Sequence, residues 1–382
     1  MRNGKMYVTA AAVLTLGVVL SGPVTLPAQV SGTDYAAKAD SIHRHCITLD
    51  SHNDSALWYN HPDGDFGVTK GQVTFPLMKQ GGLDAAFFAV YMEQGKRDRT
   101  SLDSVYRTAC NEIEMFKKYV GKREKEAEFA YSPRDIARIK GAGKSAVILA
   151  IENGYAIGKE LDKIDTFYDR GVRYITLCHN GNNDICDASM SKTGAEHNGL
   201  SPFGIAVIKR MNERGMIIDI SHASSQTVAD VLKYSKAPII ASHSGAWAIK
   251  NHNRNLKDEE LRAIAAAGGV IQVATGRFFL SHLPKKQVTI KHLADHIDHV
   301  VKVAGIEHVG LGTDFDGGGG VVGLENASKM KSLTVELLKR GYTPGQLELF
   351  WGGNLLRVWN EILSRAGNQT VAETSVSPSK TR

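Results

Sequence analysis

The chain has 382 residues, 42% apolar and 23% charged, a composition that supplies a large buried core and excludes disorder over most of its length. The formal net charge of +6 includes Arg2 and Lys5 at the N-terminus, and no Lys/Arg cluster interleaved with aromatics appears, so a nucleic-acid partner is not expected. The cysteines number 4, an even count that permits disulfides without assigning them.

Residues 1–28 read as an export leader: Arg2 and Lys5, an apolar stretch from Tyr7 to Leu20, then Ser21-Gly22-Pro23, with Leu26-Pro27-Ala28 as a cleavage site. The apolar run falls short of the about 18 to 20 residues that span a bilayer. No cysteine follows it to carry a lipid, and the C-terminus lacks the hydrophobic tail of a glycolipid anchor. The expectation is an exported protein, periplasmic or secreted, with no stable membrane insertion once the leader is removed.

Residues 29–365 alternate between two kinds of segment. Short, Val- and Ile-rich apolar runs occupy Cys46 to Asp50, Ala85 to Tyr91, Ala146 to Ile151, Tyr174 to Cys178, Met216 to Ile220, Pro238 to Ala241, Val270 to Ala274 and His308 to Gly312. They are continuous rather than alternating, as in parallel strands covered on both faces. Amphipathic helices are predicted at Ser101 to Tyr119, Pro202 to Arg214, Ser224 to Tyr234, Lys257 to Ala267 and Thr289 to Val303, with Ser224 and Asp258 as caps. The pattern predicts a single-domain α/β protein, a TIM-type (β/α)8 barrel. An open doubly wound sheet would carry a glycine fingerprint after its first strand. Here Gly317 to Gly320 follows the eighth strand and reads as a flexible loop. Tyr59 to Gln80 reads as a long loop over the barrel mouth, and residues 366–382, rich in Ser, Thr and Lys, as a disordered tail.

Each of several strands is closed by a polar residue able to bind metal or move a proton: His52 and Asp54, then Glu152, His179, His222, His243 and Asp314. Residues at i and i+2 of a strand face the same way, so His52 and Asp54 can reach one cation. More ligands converge than the three protein groups a catalytic zinc ordinarily takes. Two metals are therefore expected, with Glu152, between the His52/Asp54 and His222/His243 pairs in barrel order, able to bridge them. Asp316 competes with Asp314 for a role, and His179 could instead be a core histidine held by a carbonyl. His292, His296 and His299 lie on one helix face without H-E-x-x-H and read as a packed or solvated surface. His252 stands near enough to Arg254 to line a pocket. A Cys110–Cys186 bridge would pin the loop after the fourth strand; Cys46, Cys110, Cys178 and Cys186 lack a usual zinc spacing.

Ser51-His52-Asn53-Asp54, Ile151-Glu152-Asn153-Gly154, Asp219-Ile220-Ser221-His222, Ser242-His243-Ser244, Asn253-Arg254-Asn255 and Asp314-Phe315-Asp316-Gly317, in register from about Cys46 to Leu363, together resemble the membrane (renal) dipeptidase family of zinc metallopeptidases. The resemblance implies a barrel with two Zn2+ ions that cleaves dipeptides and tolerates a D-residue at the C-terminal position. It implies His52 and Asp54 on one zinc, His222 and His243 on the other, and Glu152 bridging. It further implies Asp314 as proton carrier, His179 as oxyanion stabiliser and Arg254 as the group that holds the substrate carboxylate. Arg254 alone could equally be a surface residue paired with Asp258 or Glu259. Ser51, Asn153 and Tyr155 depart from the family pattern, and Tyr155, read as near the mouth, bears on substrate preference. The expected partner is a small dipeptide, with a homodimer left open. The rival readings are a related barrel amidohydrolase acting on lactones, cyclic amides or β-lactams, and a zinc-binding protein without catalysis.

Overall fold

Parallel strands in chain order form the frame of the computed structural model: β1 (Leu49–Asn53), β2 (Ala85–Tyr91), β3 (Ser145–Glu152), β4 (Val172–Thr176), β5 (Ile217–Asp219), β6 (Ile240–Ala246), β7 (Val270–Val273) and β8 (Val309–Leu311). The structure describes Met1, residues 32–60 and residues 71–375, so the leader assigned to residues 1–28, Met1 apart, lies outside the described residues. Short accessory strands at Ala127–Phe129 and Asn255–Leu256 pair with β3 and β6. The path is nearly closed where Asp314 N–H donates to His52 O at 3.0 Å and Asp54 N–H donates to Phe315 O at 2.8 Å. The result is an α/β fold, a single-domain TIM-type barrel flanked by helices.

Strand parity explains why the apolar runs are continuous. Along β2 and β3, Ala85, Phe87, Ala146, Ile148 and Ala150 pack inside the barrel with Tyr174, Ile217, Ile240 and Val270. Their neighbours Ala86, Phe88, Val147, Leu149 and Ile151 pack outward under the helices. Both faces are buried, so neither can be polar. Leu355, Val358, Trp359 and Ile362 of the last helix join the inner cluster, plugging the end where the strands begin. Trp359 meets Phe87 with ring centroids 5.6 Å apart, and Phe87 meets Tyr174 at 5.1 Å. With one end filled by aromatics, the C-terminal ends of the strands are left for a site.

Helix Pro202–Arg214 starts after Ser201, whose side chain accepts from Gly204 N–H, and stops at left-handed Gly215. Elsewhere several sequence expectations need correction. β1 runs Leu49–Asn53 rather than Cys46 to Asp50, which places His52 inside the strand. The predicted loop Tyr59 to Gln80 contains a helix, Phe75–Gly81, in its described part; Thr74 caps it and Pro76 occupies the first turn, where a missing N–H costs nothing. Asp258 lies in the first turn of helix Asp258–Ala266, and Lys257 is the cap residue. The last helix, Asn354–Ser375, carries its backbone through Ala366 into the stretch assigned to the tail. That segment contains no proline, and extending a formed helix is easier than starting one. Residues 376–382 lie outside the described residues.

All the cysteines are free thiols, so the expected Cys110–Cys186 bridge does not form. Cys110 is half-buried on helix Arg99–Gly121, whereas Cys186 packs beside Cys178 in the loop after β4. Hydrogen bonds pin that loop instead: Asp187 accepts from the backbone N–H groups of Glu196, His197 and Gly199 at 2.8 to 3.1 Å.

Candidate active site

The polar residues that close the strands meet at one end of the barrel. Glu152 continues the inward parity of Ala146, Ile148 and Ala150 to the last position of β3. Register shifts between Asp50 and Asn53 in β1 and between Ala241 and Ser244 in β6 fall at His52 and His243. Such irregularities re-aim side chains, and the two rings stack with centroids 3.7 Å apart. Beyond β5 and β8 the chain turns sharply, with His222 at φ 70° and Asp314 at φ 59°. Non-glycine residues rarely adopt that conformation, and the cost is tolerated chiefly where position matters more than strain.

Three histidines present Nε2 to one carboxylate. Glu152 Oε1 lies 3.0 Å from His222 Nε2, 3.3 Å from His243 Nε2 and 3.8 Å from His52 Nε2. Each Nδ1 is engaged elsewhere. His222 Nδ1 meets the Asn180 side-chain oxygen at 3.1 Å, an atom that can only accept. His243 Nδ1 lies 2.8 Å from Ser242 Oγ, whose proton goes to Asp219. His52 Nδ1 lies 2.6 Å from the Tyr174 hydroxyl, which donates to Ser51 O. His222 and His243 therefore carry their proton on Nδ1 and turn an Nε2 lone pair inward, and His52 brings its Nε2 to the same carboxylate. The lone pairs of His222 and His243 face each other at 3.0 Å, and His52 Nε2 is buried without a hydrogen-bond partner. Facing lone pairs beside a buried carboxylate repel one another unless a cation lies between them, so the donor set fits a metal. Asp54 and Asp314 extend it: His52, Asp54 and Asp314 offer ligand atoms within 4.8 Å of one another, as do His52, Glu152 and His243, and Glu152, His179 and His222.

The electrostatics agree. Burial, with Arg254 and neighbouring histidines, holds His222 and His243 well below the ordinary histidine range. Burial also acts to lower the His52 pKa, but Glu152, Asp54 and Asp314 outweigh it and raise it to about 10. The carboxylates thus draw positive charge to the point a cation would hold. Burial and then Asp54 push Glu152 well above the carboxylate range, and the same two causes raise Asp314 to about 7.

Beside this cluster lies a cavity of about 440 Å³ lined by Tyr91, His179, Arg254, Phe278, Phe279 and Asp314. Arg254 is 4% exposed and donates from one terminal nitrogen to His243 O at 3.1 Å, while its Nε has no partner. It is therefore no surface residue; Asp258 pairs instead with His299 at 2.7 Å. His179 is half-buried, its Nδ1 3.4 Å from the Tyr91 hydroxyl. Burial, aided by Arg254, lowers its pKa to about 4, so it is a neutral imidazole near pH 7.

Comparison with known proteins fits this geometry. The profile of the membrane dipeptidases, peptidase family M19, matches residues 36–373. The chain belongs to this family. A dipeptidase of Schizosaccharomyces pombe, described as uncharacterized, is 36% identical over 339 residues, 84% of this chain and 81% of that one. Dipeptidase tcpJ of Claviceps purpurea is 33% identical over 333 residues, 84% of this chain and 78% of that one. The crystal structure of the probable dipeptidase PvdM from Pseudomonas aeruginosa superimposes with a TM-score of 0.80 at 29% identity, covering 87% of this chain and 99% of that one. The resemblance read from the ordered motifs holds, and the enzyme is a metallo-dipeptidase.

In this dipeptidase the competing candidates separate. Asp316 is occupied: it accepts from Gln72 N–H at 2.9 Å and from the Ser55 hydroxyl. The Gly317 to Gly320 run begins as a hydrogen-bonded turn, the N–H groups of Gly317 and Gly319 donating to Asp314 O at 3.2 and 2.7 Å, and a Cβ on Gly317 would overlap Asp54 Oδ2. Tyr155 is buried with its hydroxyl on Lys96 O and does not line the cavity, so it braces the loop after β2 instead of meeting substrate. His252 does line the cavity. Sequence reasoning missed Tyr174, Asn180 and Ser242, which orient the histidines, and Tyr91, Phe278 and Phe279 on the cavity wall. Asn180 and Ser242 adjoin His179 and His243 in sequence, a signal that was there to use; Tyr174 lies inside an apolar run and gave none.

Proposed function

We propose that the chain is an exported zinc dipeptidase that binds two Zn2+ ions and hydrolyses dipeptides, including those with a C-terminal D-residue. The observation that carries the reading is the convergence of three histidine Nε2 atoms on Glu152 at one buried point. Imidazoles with carboxylates are a donor set suited to zinc. In this reading His52 and Asp54 would hold one ion and His222 and His243 the other, with Glu152 shared between them. Zinc bound there would supply Lewis-acid polarisation of the scissile carbonyl and a water acidic enough to ionise near neutral pH.

The protein's own groups do the rest. Asp314, beside His52 and Asp54 and open to the cavity, carries a proton from the attacking water toward the leaving amine. His179, neutral and at the cavity wall, donates an N–H to the oxygen that becomes negative along the reaction. Arg254, buried with Nε unpaired, offers its fork to the free carboxylate of the substrate. A carboxylate required next to the scissile bond excludes longer peptides. Export is supported by Arg2 and Lys5 ahead of the apolar stretch from Tyr7 to Leu20, and tolerance of a D-residue by the family resemblance.

Arg254→Ala tests the specificity claim. It is expected to lower kcat/KM for dipeptides by about 100-fold, the order set by losing a charge-assisted buried contact, while zinc content measured by atomic absorption stays unchanged. Amidating the C-terminus of the substrate should cost the wild type as much and the variant little. Undiminished turnover in the variant would remove Arg254 from the substrate site.

A further inference from the structure

Beneath the site, and outside the set of residues assigned a part in the reaction, two carboxylates are fully buried: Asp50 and Asp219, each 0% exposed. Each ties together two strand ends that carry site residues. Asp50, in β1, accepts from Thr313 N–H at 2.7 Å and from the Thr313 hydroxyl at 2.6 Å, joining His52 to Asp314. Asp219, at the end of β5, accepts on one oxygen from Ser221 N–H at 3.0 Å and Ser242 N–H at 2.8 Å. Its other oxygen accepts from the hydroxyls of Thr176 and Ser242, both at 2.6 Å. That set joins the segment bearing His222 to the strand bearing His243.

The Asp219 group does more than join strands. A serine hydroxyl has one proton, and Ser242 gives it to Asp219, so toward His243 Nδ1 at 2.8 Å it can only accept. The His243 proton is thereby fixed on Nδ1 and the lone pair on Nε2. Ser221 adds a second tie, its hydroxyl oxygen accepting from His243 N–H at 3.0 Å. His52 is held less directly: its Nδ1 meets the Tyr174 phenol, which donates to the uncharged carbonyl of Ser51 and touches the Ser242 side chain, so Ser242 reaches His52 only through that phenol.

We propose that Asp219 and Ser242 are positioning residues for one half of the metal centre, setting the tautomer and basicity of His243 and thereby the affinity of the ion that His222 and His243 hold. This rests on the two-metal reading above. Groups of this kind commonly change metal affinity by about 10- to 100-fold. Asp219→Asn reverses the relay: the amide nitrogen can donate to Ser242 Oγ, whose own proton then turns to Nδ1 and displaces the histidine proton to Nε2, against the metal.

The test is zinc titration of the full chain against a competing chelator, for wild type, Ser242→Ala, Ser242→Thr and Asp219→Asn, with thermal melting of each metal-free protein. Wild type is expected to bind two equivalents. Ser242→Ala and Asp219→Asn are expected to weaken one equivalent by about 10- to 100-fold and leave the other in place, with Ser242→Thr restoring it and the metal-free Ser242→Ala protein melting near wild type. Wild type binding a single zinc would overturn the two-metal reading. If wild type binds two and Ser242→Ala holds both as tightly, or weakens both equally with a matching loss of metal-free stability, the relay is overturned and the two-metal reading stands.

Discussion

Gly317 sits where a side chain would enter the site, since its Cβ would overlap Asp54 Oδ2 and come within 2.7 Å of Asp314 Oδ1. Gly317→Ala is therefore expected to displace both carboxylates and reduce turnover by about 100-fold or more, the scale that small misplacements of reacting groups produce. Far-ultraviolet circular dichroism should stay unchanged, because the strain falls on a loop at the mouth; normal turnover would show that the carboxylates relax around the methyl at no cost. At this scale the sequence was legible where chemistry is rare. A histidine or carboxylate closing an apolar strand has few packing explanations, and His52, Asp54, Glu152, His222, His243 and Asp314 stood out for that reason. Serine, tyrosine and asparagine have many, so Tyr174 was indistinguishable from an ordinary core residue, and Ser242 and Asn180 offered only their adjacency to His243 and His179 until tertiary contacts gave them roles. In the glycine run, spacing reveals freedom of φ, as at Gly318 with φ 131°, but not the close approach that demands glycine at Gly317.

Among the elements, helix Ile290–Ala304 shows how a histidine stripe becomes structure instead of a metal site. His292 accepts from the backbone N–H of Thr289, the cap residue, at 3.1 Å, and His299 pairs with Asp258. His296, 0% exposed, accepts from Ala246 N–H at 3.0 Å and donates to Leu280 O at 3.1 Å, fastening the helix to the end of β6. Both ring nitrogens are satisfied in the neutral form only. Burial lowers the His296 pKa from 6.5 to about 4, and burial does the same to His43. Below pH 6.5 the unfolded chain binds these protons while the native chain does not, so stability falls as pH falls toward 4. For His296 the loss is about 2 kcal/mol by pH 5. His296→Gln should be less stable at pH 7 yet lose less between pH 7 and pH 5 in urea unfolding. Equal losses would mean that His296 takes up its proton in the native state at its ordinary pKa. Element boundaries were the less legible part: β1 begins at Leu49 and helix Phe75–Gly81 was hidden in a Gly- and Asp-rich stretch, because burial and a Thr74 cap outweighed composition.

For the whole molecule, strand parity made the fold readable. Runs apolar on both faces, spaced by amphipathic helices, have a barrel as their economical solution, since each run needs cover inside and out. The two ends then divide the labour. Trp359, Phe87 and Tyr174 fill the end where the strands begin, and the Tyr174 hydroxyl, at the top of that packing, already orients His52 at 2.6 Å. Packing and site therefore share a residue, which links stability to metal geometry. No helix among the described residues is long and apolar enough to cross a membrane. The converging Nε2 atoms and Glu152 are proposed above to hold two zinc ions that this chain uses to cleave dipeptides. The most direct measurement is zinc stoichiometry of the purified full chain taken together with turnover of paired L,L and L,D dipeptides as zinc is restored to chelated protein. Two equivalents bound, turnover rising with the second, and cleavage of both stereochemical series are expected; one equivalent with full activity, or two with no dipeptide cleaved, would contradict a two-zinc dipeptidase.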